Sequence, residues 1–171
     1  MLWYEAVVLL SCAVGLGIFY YIMELSPKSP RRTLGKGKEF HMPDTHFHYT
    51  ANELYALFEQ AGEEGRPKMR RYWQVDFGLI ICFLGVMLAI GLNVAGRGTA
   101  LFTVMAALAA VRCAFDLAEN LLLMRLLRDY PKRFERRAAF AGAITATKFV
   151  CLYAWVAVLF YKLFITAFHI R

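Results

Sequence analysis

Arg112, Asp116, Glu119 and Asn120 fall at i, i+4, i+7 and i+8, a spacing that puts all four side chains on one face of a helix. They interrupt an otherwise apolar stretch from Thr99 to about Met124. A charged side chain at mid-membrane costs at least about 2.5–3.5 kcal/mol and usually faces the interior of a bundle. Such a row has two readings. It is a proton relay, an ion site or a polar-headgroup pocket, or it is a set of ion pairs that fixes helix packing and does no chemistry.

Depth names the partner. Asp116 lies about eight residues before the inner end of its span, roughly 12–14 Å deep at the helical rise. Lys148, the one charge between Ala138 and Tyr161, lies about ten residues into the following span, at a similar depth. Lys148 is therefore predicted to meet Asp116 or Glu119, with Thr145 on its own face extending the network. Asp76, nearer the inner end of the second span, is placed to join Glu119 or Asn120. Arg112 and Lys148 against Asp116, Glu119 and Asp76 make a near-neutral cluster, which persists in a low dielectric only when paired and hydrogen-bonded.

The parts of an enzyme are missing from this pattern. There is no Glu-x-x-His pair for a di-iron centre and no serine or cysteine nucleophile beside a base. His41, His46 and His48, with Asp44 nearby, form the one metal-like spacing, but no second ligand cluster completes a zinc site. They are expected to be surface histidines of a polar loop. Cys12, Cys82, Cys113 and Cys151 fall one in each predicted span; with no CxxC or metal spacing they read as small apolar fillers. No catalytic residue, metal or cofactor is expected.

The elements that must hold the cluster follow from composition. Of 171 residues 59% are apolar and 19% charged, against about 45–50% and 25% in soluble domains. That excludes a disordered chain, a disulfide scaffold and an ordinary cytosolic enzyme. The charge-free runs Ala6–Met23 and Phe77–Gly96 each approach the roughly 20 residues needed to cross a 30 Å hydrocarbon core. With the two polar-interrupted stretches they predict four transmembrane helices. The fold class expected is all-α, an integral membrane four-helix bundle with an amphipathic helix in the loop between helices 1 and 2. The domain plan is an anchor at 1–25, an inner-side loop at 26–71 and a three-helix bundle at 72–171.

Basic residues sort by side. Lys28, Arg31, Arg32, Lys36, Lys38, Arg66, Lys68, Arg70 and Arg71 lie between helices 1 and 2, and Arg125, Arg128, Lys132, Arg133, Arg136 and Arg137 between helices 3 and 4. Arg97, Lys162 and Arg171 are left for the other side. The positive-inside rule then sets both termini outside and both long loops inside. Basic residues confined to such loops argue against a nucleic-acid partner. Trp3 and Tyr4, Tyr20 and Tyr21, Tyr72 and Trp73, and Phe160 and Tyr161 fit an aromatic belt. Helix 1 lacks a basic leader and reads as an uncleaved anchor, with Glu5 in its first turn where the helix dipole favours a carboxylate.

Within the inner loop, Ser26 to Arg32 and Gly35 to Lys38 read as an extended basic linker over anionic headgroups. Thr50-Ala51-Asn52-Glu53 fits a capping box, with Tyr49 and Leu54 as a hydrophobic staple. Leu54, Leu57, Phe58 and Ala61 give residues 51–61 one apolar face, and Gly62 ends that helix. It is expected to dock against the bundle. After a break at Glu63–Arg66, Pro67 suits the first turn of a helix running into the second span. On the third span Ala106, Ala110, Ala114 and Ala118 form a small-residue seam opposite the polar face. Such a seam lets another backbone approach closely, so helix 3 is expected to be central.

Tyr49 through Leu127, with Gly62-Glu63-Glu64-Gly65-Arg66, Asp76 and Asp116-Leu117-Ala118-Glu119-Asn120, resembles a group of small bacterial multi-span membrane proteins of unassigned function. The resemblance implies a shared fold and supplies no activity. Separately, Met1-Leu2-Trp3-Tyr4-Glu5, an apolar helix and a basic linker are similar to the start of the MWFE subunit of respiratory complex I, although this chain carries three further spans. Together these imply a non-catalytic accessory subunit of a larger energy-converting membrane complex, such as a respiratory assembly. Its membrane would be the mitochondrial inner membrane or the bacterial plasma membrane, its partners membrane lipids and other transmembrane subunits. The alternative is a free-standing carrier or receptor that binds a lipid or proton at the Asp116/Glu119/Lys148 cluster.

Overall fold

Four long helices carry most of the described residues. The computed structural model describes residues 3–26, 29 and 41–168, without the side chain of Tyr4. The basic linker at Lys28, Arg31, Arg32, Lys36 and Lys38, the N-terminal Met1-Leu2 and Arg171 lie outside the described residues. Helix α1 spans Trp3–Tyr20 and continues into a π-helical turn, Tyr21–Leu25. Helices α2 (Ala51–Ala95), α3 (Ala100–Asp129) and α4 (Glu135–Ala167) follow. Among the described residues there is no strand, and all four helices are long and apolar enough to cross a membrane.

Helix α2 begins at the capping box: the Glu53 amide donates to Thr50 Oγ1 at 3.3 Å, and the Thr50 amide donates back to Glu53 Oε2 at 2.6 Å. The helix then runs on through Pro67 into the membrane span. Residues 51–61 form the first arm of α2, a helical segment that stops at Gly62, where the backbone leaves helical geometry before the second arm begins. The only interruption within α2 is Gly62, at φ 65° and ψ −174°, a conformation that favours glycine. The expected break at Glu63–Arg66 is therefore narrower than predicted. One residue bends the helix, and Pro67 lies inside the second arm, five residues past the bend.

The arm buries its apolar face. Leu54, Tyr55 and Phe58 pack with Met69 and Trp73 of α2, Leu123, Leu126 and Leu127 of α3, and Ala138 and Ala141 of α4. The Tyr55 and Phe58 rings meet Tyr130 at 6.3 and 5.9 Å between centroids, and the Phe134 amide donates to Tyr55 Oη at 2.6 Å. Tyr72 and Trp73, expected in the aromatic belt, lie in this core with 3% and 0% exposure. They pack beneath the arm, in the same core as Leu54, Tyr55 and Phe58. Trp3, Tyr20, Tyr21, Phe160 and Tyr161 remain exposed.

Helix α2, not α3, is central: it packs against α1, α3 and α4. The alanine seam does not face the bundle. Ala110, Ala114 and Ala118 are exposed and Ala106 is half-buried, while Ala109 and Cys113, one position over, are buried beside Asp116 and Asn120. Keeping several charges away from lipid outweighs the gain from close backbone contact along one row. The polar face, and not the alanines, decides which side of α3 meets its neighbours. Close packing appears instead between α1 and α2. A Cβ on Gly78 would lie 2.2 Å from the Phe19 ring, so only glycine lets that ring seat against α2. At the opposite end of α2 Arg97 Nη2 donates to Glu5 Oε1 at 2.7 Å, tying the start of α1 to the α2–α3 turn.

Candidate functional site

The site forms where α2, α3 and α4 converge, and one loop completes it. Asp116 receives two cations: Lys148 Nζ at 2.8 Å on Oδ1 and Arg112 Nη2 at 2.7 Å on Oδ2. Lys148 Nζ also lies 2.6 Å from Glu119 Oε2, so it bridges both carboxylates. The Thr145 hydroxyl donates to Glu119 Oε1, and Tyr49 Oη reaches the same oxygen at 3.3 Å. Asn120 Nδ2 donates to Asp76 Oδ2 at 2.7 Å. Arg112 lays its guanidinium over Phe83 at 4.3 Å, a cation–π contact that helps to hold the charge in place. The structure brings together all seven residues singled out in the sequence, and each of them except Arg112 is fully buried.

Three helices give this arrangement because their polar residues share a level and each finds an opposite charge or a donor there. An isolated charge at this depth would be expelled or neutralised. Paired, it can stay.

The sequence reading missed the loop. Residues 41–50 fold back against the bundle through a short 3₁₀ turn at Pro43–Thr45. Met42, Pro43, Asp44 and Tyr49 are buried, while His46 and His48 are exposed and His41 is half-buried. The Tyr49 carbonyl presses on Gly142 so closely that an added Cβ would sit 2.1 Å from its oxygen. The His41 and His46 rings meet edge to face at 5.8 Å, and among the described residues no group of His, Cys, Asp or Glu is arranged to hold a metal. The signal that could have found the loop is the apolar pair Met42 and Tyr49 at either end of a supposedly solvated segment.

Burial of the loop delivers Asp44 to the cluster with 8% exposure, and its Oδ1 accepts no hydrogen bond. Desolvation holds its carboxyl well above the usual carboxylate range; Lys148 draws it back, and Asp76, Glu119 and Asp116 push it further up. Asp44 thus joins the cluster as a carboxyl whose charged form burial disfavours. Asp44, Asp76, Asp116 and Glu119 face Arg112 and Lys148.

A cavity of about 220 Å³ opens on this cluster. Its polar wall carries Asp44, Asp76, Arg112, Asp116 and Lys148, and Glu24 and Tyr72 close one side with a 3.2 Å hydrogen bond from the Tyr72 hydroxyl. Its rim is apolar and half-exposed to exposed: Tyr20 at the end of α1, Leu79 of α2, and Phe149 and Leu152 of α4. The arrangement suits a small polar group seated among charges with an apolar remainder leaving past the rim. Comparison with protein-family models, with curated proteins and with solved structures finds no match for the chain.

Proposed function

We propose that the protein is a small integral membrane carrier or receptor that binds a lipid headgroup or a proton at the Asp44, Asp116, Glu119 and Lys148 cluster. One observation carries this reading: the charges, although paired with one another, also wall a cavity of about 220 Å³. A concave site with a few convergent polar groups and an apolar rim is the usual form of a small-ligand site. The volume holds about seven waters at liquid density, or one small headgroup. In this reading the arm at 51–61 is an amphipathic element at the inner face of the membrane, and both termini lie outside.

Native mass spectrometry from mild detergent tests it. Wild type is expected to retain a bound lipid that Leu152→Trp, which fills the rim of the cavity, releases. Identical spectra from both proteins, together with proton uptake unchanged by the filling, would end the reading.

A second reading is an accessory subunit of a larger energy-converting complex, such as a respiratory assembly of the mitochondrial inner membrane or the bacterial plasma membrane. The exposed stripe Ala110, Ala114 and Ala118 supports it, because small residues on a lipid-facing surface allow a neighbouring helix to approach. Native electrophoresis separates the two: co-migration with a large assembly supports the subunit, a small discrete particle the carrier.

A further inference from the structure

Resting on the ligand-binding reading above, we infer that the cavity takes a zwitterion, a primary ammonium joined by a short linker to an anionic oxygen group, as in a phosphoethanolamine headgroup. Two groups on the cavity wall, the buried Asp44 and the partly buried Arg112, have unused bonding capacity of opposite kinds. Asp44 is more than nine-tenths buried and its Oδ1 accepts no hydrogen bond. Arg112 spends Nη2 on Asp116, while its Nε and Nη1 donate to no acceptor. A buried acceptor and a buried donor left unmade each cost about 1–3 kcal/mol, more when charged. One ligand bearing both an N–H cation and an oxyanion satisfies both.

The rest of the wall discriminates between ligands. Carboxyl groups outnumber cations around the cavity, so an anion without a cationic partner would add to repulsion from Asp76, Asp116 and Glu119. An ammonium relieves that surplus, and the Tyr20, Tyr72 and Phe149 rings that also line the cavity are suited to lie beside a cation. A quaternary ammonium has no N–H to give Asp44, so the site favours a primary amine over a choline. The same zwitterion exists free in solution and on a lipid. The apolar rim of Tyr20, Leu79, Phe149 and Leu152 favours the lipid, because acyl chains leaving past it stay in hydrocarbon.

The test uses the full chain in detergent with three short-chain lipids, dihexanoyl phosphatidylethanolamine, phosphatidylcholine and phosphatidylglycerol, and with free phosphoethanolamine. Affinity is read by isothermal calorimetry. The expected result is binding of the ethanolamine lipid about tenfold or more tighter than either other lipid. Asp44→Asn is expected to remove that preference, the loss of one charged hydrogen bond. Arg112→Gln serves as the second variant, weakening the phosphate contact while Lys148 still covers Asp116, and helicity by circular dichroism confirms folding of both. Equal binding of free phosphoethanolamine keeps the chemistry and assigns the source to solution. Phosphatidylglycerol binding as tightly as the ethanolamine lipid, or a preference untouched by both variants, overturns the zwitterion and leaves the cavity reading standing. If no lipid or amine binds and Leu152→Trp behaves as wild type, both readings fall.

Discussion

At the scale of single residues, Lys148 is the keystone because it answers two carboxylates at once. Removing one partner of a buried ion pair typically costs about 3–5 kcal/mol, so Lys148→Met is expected to lower thermal stability in detergent by an amount of that order. The two carboxylates then differ. Asp116 keeps Arg112 at 2.7 Å, whereas Glu119 is left with the hydroxyls of Thr145 and Tyr49. Glu119→Gln should therefore rescue Lys148→Met better than Asp116→Asn does, and the reverse order in thermal-shift assays would contradict the pairing. Asp44 supplies a pH test. Its folded-state pKa is raised, chiefly by burial against the pull of Lys148 and with further upward push from Asp76, Glu119 and Asp116. The folded state thus holds the proton more tightly than the unfolded chain, so this contribution to stability is complete below about pH 4 and fades as pH rises through the folded value. Wild type should lose stability across that window relative to Asp44→Asn, whose curve should be flatter. Glu53 has the opposite sign: its hydrogen bonds from Thr50 lower its pKa, so its support is lost as pH falls. The helical row and the level of Lys148 were legible in the sequence, because periodicity and depth are one-dimensional quantities. Asp44 was not, since nothing local distinguishes an aspartate that faces water from one folded under a bundle.

At the scale of elements, the span count and the capping box follow directly from charge-free runs and a four-residue pattern, both short-range. Which faces meet does not. The alanine row on α3 points outward, and α2 takes the centre, because burial of charge on three helices at once fixes their rotation. Tyr72 and Trp73 mislead in the same way: an aromatic pair at an interface and one under a docked arm have the same local sequence. The loop–α4 contact gives a sharp test. Gly142→Ala forces the Tyr49 carbonyl away and should cost about 1–3 kcal/mol, as overpacking does, while also exposing the 41–50 loop to protease. Gly17→Ala, with nothing within 4 Å of the added carbon, is the matched control and should be neutral within about 0.5 kcal/mol.

At the scale of the whole molecule, the exposed stripe Ala110, Ala114 and Ala118 is where the proposed subunit reading places a neighbouring helix. Ala114→Leu should leave the isolated protein's melting temperature unchanged yet abolish co-migration with any larger assembly seen on native gels. A stripe that only faces lipid would leave migration as it was. Charge asymmetry between the two sides was legible because it needs no contacts; the cavity was not, since it exists only once five segments have met. The shared level of Asp116 and Lys148 also bears on biogenesis. Helix α3 enters a nascent membrane carrying Arg112, Asp116, Glu119 and Asn120, each charge disfavouring partition by about 2.5–3.5 kcal/mol on insertion scales. Arg112 answers Asp116 within α3, but the cation that answers Glu119, Lys148, is synthesised later, on α4, across a connection of a few residues. The two helices must then leave the insertion machinery as a hairpin, neutralised in the act of crossing, and a chain interrupted after α3 should fail to integrate.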